Sequence, residues 1–253
     1  VVFSPMPGLS FAVDAYKINI KDAITQVAGS TTAIQQACYA SGGTSFYCTL
    51  QDRPLASYTN TTTANTVTAW RTVRFNLAEI ETWGIDYEAN YSGELFSRPF
   101  QVRLLAAWQP HLTNVQPGLP TVDQGGVGFG VNGMGATPAW RVTGYLRFKP
   151  LDSVSVDVTQ RWRSGMKLGG DPTQVWADNH IDSFGTTSVN VAWDAAVIPT
   201  RPQLYLSVQN IFDKHPPQGA FSGNGTRAGL RDGFAIGDDP RGRFYTAGVR
   251  MRF

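Results

Sequence analysis

The chain has 253 residues, enough for one large β domain or two ordinary ones. Only 16% of them are charged, against roughly a quarter in a typical soluble domain, while the 26 glycines and the 12% aromatic share are generous. A net charge of +2 argues for no nucleic-acid partner, and the absence of any run near 18 apolar residues excludes a transmembrane helix. It leaves transmembrane strands open, because their alternation keeps mean hydropathy ordinary.

The chain opens Val1-Val2-Phe3-Ser4-Pro5, with no initiator Met and no basic-then-apolar signal segment, so either a signal was removed or this is the downstream piece of something longer. Period-two alternation then sets out strands in chain order. The first runs around Leu9 to Ile20; its apolar positions Phe11, Val13 and Ala15 yield near Tyr16-Lys17 to Ile18 and Ile20, as a β-bulge there would produce. A polar stretch, Lys21 to Thr72, holds the two cysteines, Cys38 and Cys48. So little thiol suits an oxidising compartment, where the pair closes a small loop; two unpaired thiols are the other reading.

Trp83, Ile85, Tyr87, Ala89 and Tyr91 next share a face opposite Gly84, Asp86, Glu88 and Asn90. The pattern repeats over Phe100 to Trp108, Trp140 to Phe148, Val154 to Trp162, Thr187 to Trp193, Leu204 to Phe212 and Tyr245 to Phe253, eight strands in all. Arg103, Arg141, Arg147, Arg161, Arg163, Arg250 and Arg252 crowd the polar face. Connections alternate in length. Lys21 to Thr72, Thr113 to Pro138, Ser164 to His180 and Lys214 to Pro240 are long; Ser92 to Pro99, Pro150 to Asp152 and Ala195 to Pro202 are short. Long loops at one end and short periplasmic turns at the other mark an outer-membrane barrel.

A soluble β-sandwich also alternates, its apolar face on a dry core. Aromatic spacing separates the two. Trp83/Tyr91, Phe100/Trp108, Trp140/Phe148 and Tyr245/Phe253 stand eight residues apart on the apolar face, with Trp162 and Trp193 on neighbouring strands. Eight residues span roughly 26 Å along a strand and, tilted by about 40°, rise roughly 20 Å, close to the ~25 Å apolar band between aromatic girdles. An open edge finds no backbone partner in hydrocarbon, so these strands either close on themselves or pair with strands not included here.

No enzyme site emerges. His111, His180 and His215 lie on separate segments without metal-ligand spacing, and Asp238-Asp239 is a loop pair suited to solvation or ion pairing. Gly125 to Gly130 lacks the strand-to-helix context of a phosphate loop. The sequence implies no catalysis, cofactor or metal. Ligand contacts are expected from loop aromatics, with Phe46, Tyr47, Tyr58, Trp70, Trp176 and Phe221 as candidates.

Leu204-Tyr205-Leu206-Ser207-Val208-Gln209-Asn210-Ile211-Phe212-Asp213, followed by Pro216-Pro217, resembles the penultimate strand of TonB-dependent receptors, with Ile211 where Leu is usual. Asp239 to Phe253 is similar to that family's closing segment, and Phe11 to Ile24, Asn76 to Glu88 and the Cys38…Cys48 loop resemble other parts of its barrel. The resemblance implies an all-β, antiparallel outer-membrane barrel of about 22 strands around a plug, of which residues 1–253 supply the C-terminal eight or so. It further implies TonB-energised uptake of a scarce small-molecule or oligosaccharide ligand (siderophore, vitamin or sugar), with the TonB contact made through a plug that this sequence lacks. The other partners are outer-membrane lipid and the barrel-assembly machinery, which reads Tyr245, Val249, Met251 and Phe253 as a C-terminal signal by strand addition. The rival readings are a stand-alone eight-stranded anchor or adhesin and a soluble carbohydrate-binding sandwich.

Overall fold

Side chains that alternate strictly need a backbone whose hydrogen bonds all run sideways, and the computed structural model pairs its strands in chain order. It describes residues 1–55, 57–58, 60–128, 137–170, 175, 177–195, 202–218, 234–235 and 237–251, with backbone alone at 77 and 78. The elements are β1 (Val2–Met6), β2 (Leu9–Ala28), α1 (Thr32–Ala40), β3 (Gln51–Asp52), β4 (Ala69–Trp70), β5 (Thr72–Leu95), β6 (Arg98–Val115), β7 (Trp140–Leu151), β8 (Val154–Arg163), β9 (Phe184–Asp194), β10 (Gln203–Gln209) and β11 (Phe244–Arg250). Nine strands form one antiparallel meander, β1-β2-β5-β6-β7-β8-β9-β10-β11, while β3 and β4 make a separate ribbon inside the β2–β5 loop. Among the described residues β1 and β11 form opposite edges and do not pair with each other, so the sheet is not closed.

Two expectations are corrected. The sheet has one strand more than alternation revealed: β1 is five residues long, too short to display a period. The bulge is not at Tyr16-Lys17. Pairing of β2 with β5 is unbroken from Leu9↔Tyr91 to Ile20↔Ile80, and the register shifts only between Ile20 and Ile24, where Asp22 takes φ 54°. Tyr16, Ile18 and Ile20 therefore lie on the polar face, opposite Gly84, Thr82 and Ile80. Lys17 sits opposite Trp83 on the other face and reaches up to Glu81 at 2.7 Å.

Three strands of 10 to 12 residues, β7, β8 and β9, have the length of a tilted bilayer crossing. At 20, 24 and 18 residues, β2, β5 and β6 overshoot that length and stand proud at the long-loop end. The opposite end is closed by tight turns. Phe96 and Ser97 connect β5 to β6 with φ 53° and 59°, the double positive φ that matches strand twist. An Arg98–Asp152 pair at 2.8 Å ties that turn to the β7–β8 turn.

The aromatic positions fall into two rows. At the long-loop end Trp83 meets Trp108 edge-on at 5.4 Å, Trp108 stacks on Trp140 at 5.9 Å, and Trp162 lies opposite Val142. At the turn end Tyr91 meets Phe100 at 5.5 Å, Phe100 pairs with Phe148, and Trp193 lies opposite Val154 and Leu204. Between the rows Val102, Leu104, Leu146, Val191 and Leu206 are all exposed, an apolar face of the kind that meets a membrane or a partner. The polar face carries Arg103–Glu88 at 3.0 Å and Arg147–Asp157 at 2.6 Å, both solvent-facing and so of small energetic weight.

Glycine has a packing role on that polar face. Tyr16 lies across Gly84, and Tyr205 across Gly248, each pair directly opposed in register. A Cβ at position 84 would collide with the carbonyl oxygen of Trp108 and lie 2.6 Å from Tyr16 Oη. Backbone on one side and a ring on the other leave nothing to yield. Gly84→Val in the natural protein is expected to destabilise the sheet by about 1–3 kcal/mol or more. Heat-modifiable gel mobility after refolding should show a smaller folded fraction, and an unchanged fraction would contradict this packing.

Candidate functional site

Among the described residues the buried apolar clusters lie at the long-loop end of the sheet. Val27, Ile34, Tyr47 and Leu50 form one buried cluster, with Ala37, Val73, Phe75 and Leu119 packed around it. Val27, Val73 and Phe75 come from the overshooting ends of β2 and β5, so those strands are long because they found a cap. Helix α1 lays Ile34 and Cys38 into it, and a 3₁₀ turn over Phe46–Leu50 adds Tyr47, Cys48 and Leu50. A disulfide joins Cys38 to Cys48, with Cα atoms 5.0 Å apart. Closing a loop this short removes unfolded-chain entropy equivalent to ~3 kcal/mol at most. Tyr47 Oη donates to Pro117 O at 2.7 Å, which brings the β6–β7 loop under the same cap, and burial pushes the Tyr47 hydroxyl pKa up.

The outer part of this loop is organised by polar side chains. Asn65 is fully buried; its Oδ1 accepts from Leu55 N at 3.0 Å and its Nδ2 donates to Asn60 O at 3.0 Å. Arg53 donates to Asn65 O at 2.7 Å and to Tyr39 Oη, lying over the Tyr39 ring at 5.5 Å. Nothing in the local sequence announces these partners, which is why neither residue stood out among the loop positions.

A second cap joins the remaining long loops. Gly128 N donates to Lys167 O at 2.7 Å and Lys167 N to Gly126 O at 2.8 Å, linking the β6–β7 and β8–β9 loops. Met166 and Ile181 exchange both backbone hydrogen bonds and form a buried cluster with Leu168 and Ala235, the latter from the β10–β11 loop. Arg163, at the top of β8, is buried against Asp238 of that loop. Its Nε donates to Asp238 Oδ1 at 2.8 Å, and its Nη1 to Asp182 O at 2.7 Å. Asp239 pairs with Arg241 at 2.9 Å, so both members of the acidic dipeptide are ion-paired. Asp123 accepts from Leu112 N and Gly125 N and lies 2.6 Å from His111 Nδ1.

The motif that marks the penultimate strand has a local physical role. Asn210, at φ 49°, accepts from Lys214 N at 3.0 Å and donates to Lys214 O at 2.8 Å. Asp213 accepts from Arg243 N at 2.7 Å. Together they staple the departure of the β10–β11 loop to its return.

Of the loop aromatics, Phe46 is exposed and meets Phe75 edge-on at 4.5 Å, and Trp70 is exposed on β4. Tyr58 is half-buried beside Gly43. Tyr47 is only 4% exposed, so it belongs to the core rather than to a contact surface. Trp176 and Phe221 lie outside the described residues. Tyr245, Val249 and Met251 are exposed at the β11 end, and Phe253 lies outside the described residues. Among the described residues no three His, Cys, Asp or Glu side chains gather as a metal site. The arrangement offers an ordered, mixed polar and aromatic surface at one end of a polar-faced wall.

Removing Arg163 leaves the Asp238 carboxylate buried without its partner, a loss of about 3–5 kcal/mol in comparable buried pairs. Arg163→Ala is expected to make the β8–β9 and β10–β11 loops readily cut by protease while the strand region keeps its heat-modifiable mobility. Unchanged protease resistance would show that the pair does not hold the second cap.

Comparison with known proteins is consistent with this geometry. Among solved structures, the outer membrane transporter YddB from Escherichia coli superimposes with a TM-score of 0.59 at 11% identity, over 99% of this chain and 31% of its own. The FrpB iron transporter from Neisseria meningitidis (F3-3 variant) does so with a TM-score of 0.54 at 13% identity, over 96% of this chain and 29% of its own. The chain thus spans about three tenths of the length of these transporters. No curated protein matches it in sequence. The family model for the TonB dependent receptor-like β-barrel matches residues 1–211, which leaves the closing segment from Asp239 onward outside the match. The chain belongs to the TonB-dependent receptor β-barrel family and is part of the wall of an outer-membrane barrel.

Proposed function

We propose that this chain is the C-terminal part of the barrel of a receptor that imports a scarce ligand across the outer membrane, energised through TonB. A plug domain and the earlier strands, supplied by the rest of the protein, complete it. The observation that carries this reading is the pairing of a family-typical wall with two cross-linked caps at its long-loop end. A passive anchor has no use for loops held by a disulfide, a buried Arg–Asp pair and two apolar cores, whereas a receptor needs an ordered surface to meet ligand.

Exposed Phe46 and Trp70 supply stacking surface to a siderophore, vitamin or oligosaccharide, and the Arg-rich polar face lines the path below. The exposed β11 side chains Tyr245, Val249 and Met251 support recognition by the barrel-assembly machinery through strand addition. A stand-alone barrel fits less well, because among the described residues β1 and β11 lie at opposite edges of a nine-stranded sheet and do not pair with each other.

The test is accumulation of labelled ferric siderophores, cobalamin and maltooligosaccharides by the host with and without the complete receptor. One ligand should accumulate only with the receptor present, and an uncoupler of the proton gradient should abolish its uptake. Uptake insensitive to the uncoupler, or no receptor-dependent uptake of any panel member, contradicts the proposal.

A further inference from the structure

The two aromatic rows are bordered differently on the lipid-facing side of the sheet. At the long-loop end, polar groups begin at the row itself. Lys17 stands opposite Trp83 and pairs with Glu81 at 2.7 Å, and Asn19 donates to Glu79 at 2.7 Å. His111, also opposite Trp83, lies 2.6 Å from Asp123. Charges on the outer face are tolerated only near the interface, so hydrocarbon reaches no higher than Trp83.

Beyond the turn-end row the same face stays largely apolar. Leu95 continues the alternation of Trp83 to Tyr91, and Leu151 lies opposite Val154, which alternates with outward Val156 and Val158. Both leucines are more than two-fifths exposed, with the Arg98–Asp152 pair beside them. The twelve residues from Trp83 to Leu95 span roughly 40 Å along the strand and, at a tilt of about 40°, rise roughly 30 Å. An apolar band of ~25 Å measured down from Trp83 therefore ends about 5 Å short of Leu95, and the headgroup layer beyond it is ~5–7 Å deep.

Phe96, next in the chain, has φ 53° and is 87% exposed. Its place in the turn favours Asn, Asp or Gly, and the left-handed region is costly for a bulky side chain. So exposed a side chain recovers little of that cost from contacts within the chain, which directs attention to what lies outside it. The depth of Leu95 and the continuity of Leu95 and Leu151 with the lipid-facing surface above them identify that surrounding as lipid.

We propose that the β5–β6 turn is a foot set in the headgroup layer of the periplasmic leaflet, with Phe96 as its lipid-contacting side chain. The proposal requires only that the chain is part of an outer-membrane wall, and it is independent of the uptake reading.

The test places a bimane label on an introduced cysteine, Ser97→Cys, in the complete protein reconstituted in phosphatidylethanolamine–phosphatidylglycerol vesicles. Cys38 and Cys48 are bridged and buried and take no label. Lipid brominated high on its acyl chains should quench the label, and iodide supplied on both sides of the membrane should quench it little. Phe96→Asn suits the turn backbone and removes the ring; it should lose the lipid quenching and gain iodide quenching while heat-modifiable mobility is retained. Phe96→Trp should keep the pattern of the natural turn. Iodide quenching without lipid quenching when Phe96 is present overturns the foot. So does protection from both quenchers, which would mean that protein covers the turn, and so does lipid quenching that survives Phe96→Asn in folded protein. The measurement with Phe96 in place decides the first two outcomes whether or not the Phe96 variants fold.

Discussion

Within a bilayer no water is present to satisfy a backbone N–H or C=O, so every peptide group between the two aromatic rows must bond to a neighbouring strand. That requirement sets the plan of this chain. It forces the antiparallel ladder from β1 to β11, and it confines irregularities to places where water or loop backbone can take over. Of the four prolines in these strands, Pro99 sits beside the β5–β6 turn and the other three mark shifts in register. Pro5 lies in the shift between Phe3 and Met6, Pro110 in the shift opposite Trp83 and Ile85, and Pro150 in the shift between Phe148 and Leu151. Each lacks an N–H, and each sits at or beyond an aromatic row rather than between the rows.

With the ladder fixed, the two faces are free to differ. The apolar face has no protein core to meet; Leu104, Leu206 and Val249 are each more than two-fifths exposed and are covered by lipid in an outer-membrane barrel. Packing in the ordinary sense moves to the long-loop end, where β2 and β5 overshoot and the two caps hold the buried apolar clusters of the described residues. The caps are fastened by different means. The first uses a disulfide and buried amides, the second a buried ion pair and interleaved loop backbone.

Legibility in the sequence followed the range of the interactions. Strands whose alternation and aromatic spacing repeat, such as Trp140 to Phe148, can be read residue by residue because the pleat alone decides where each side chain points. β1 escaped because five residues carry no period. The bulge was misplaced because Ile18 and Ile20 look like members of the apolar face, yet they lie on the polar one, while Lys17 occupies the outer face beside the girdle residue Trp83 and pairs with Glu81. In the caps, local pattern fails. Arg163 and Asp238 are 75 residues apart, Asn65 binds carbonyls of its own loop, and Tyr47 looks like a contact aromatic but is core. Those assignments depend on tertiary contacts that no spacing encodes.

The account stands on β7 having one face in lipid and the other in the lumen. A nitroxide scan from Val142 to Arg147 in the complete receptor, reconstituted in bilayers, tests this directly through collision with oxygen, which favours lipid, and with a water-soluble nickel chelate. The account predicts a period of two, with oxygen favoured at positions 142, 144 and 146 and the nickel chelate at 143, 145 and 147. A flat profile, or one in which positions 142, 144 and 146 share the water-soluble reagent's preference, would contradict it.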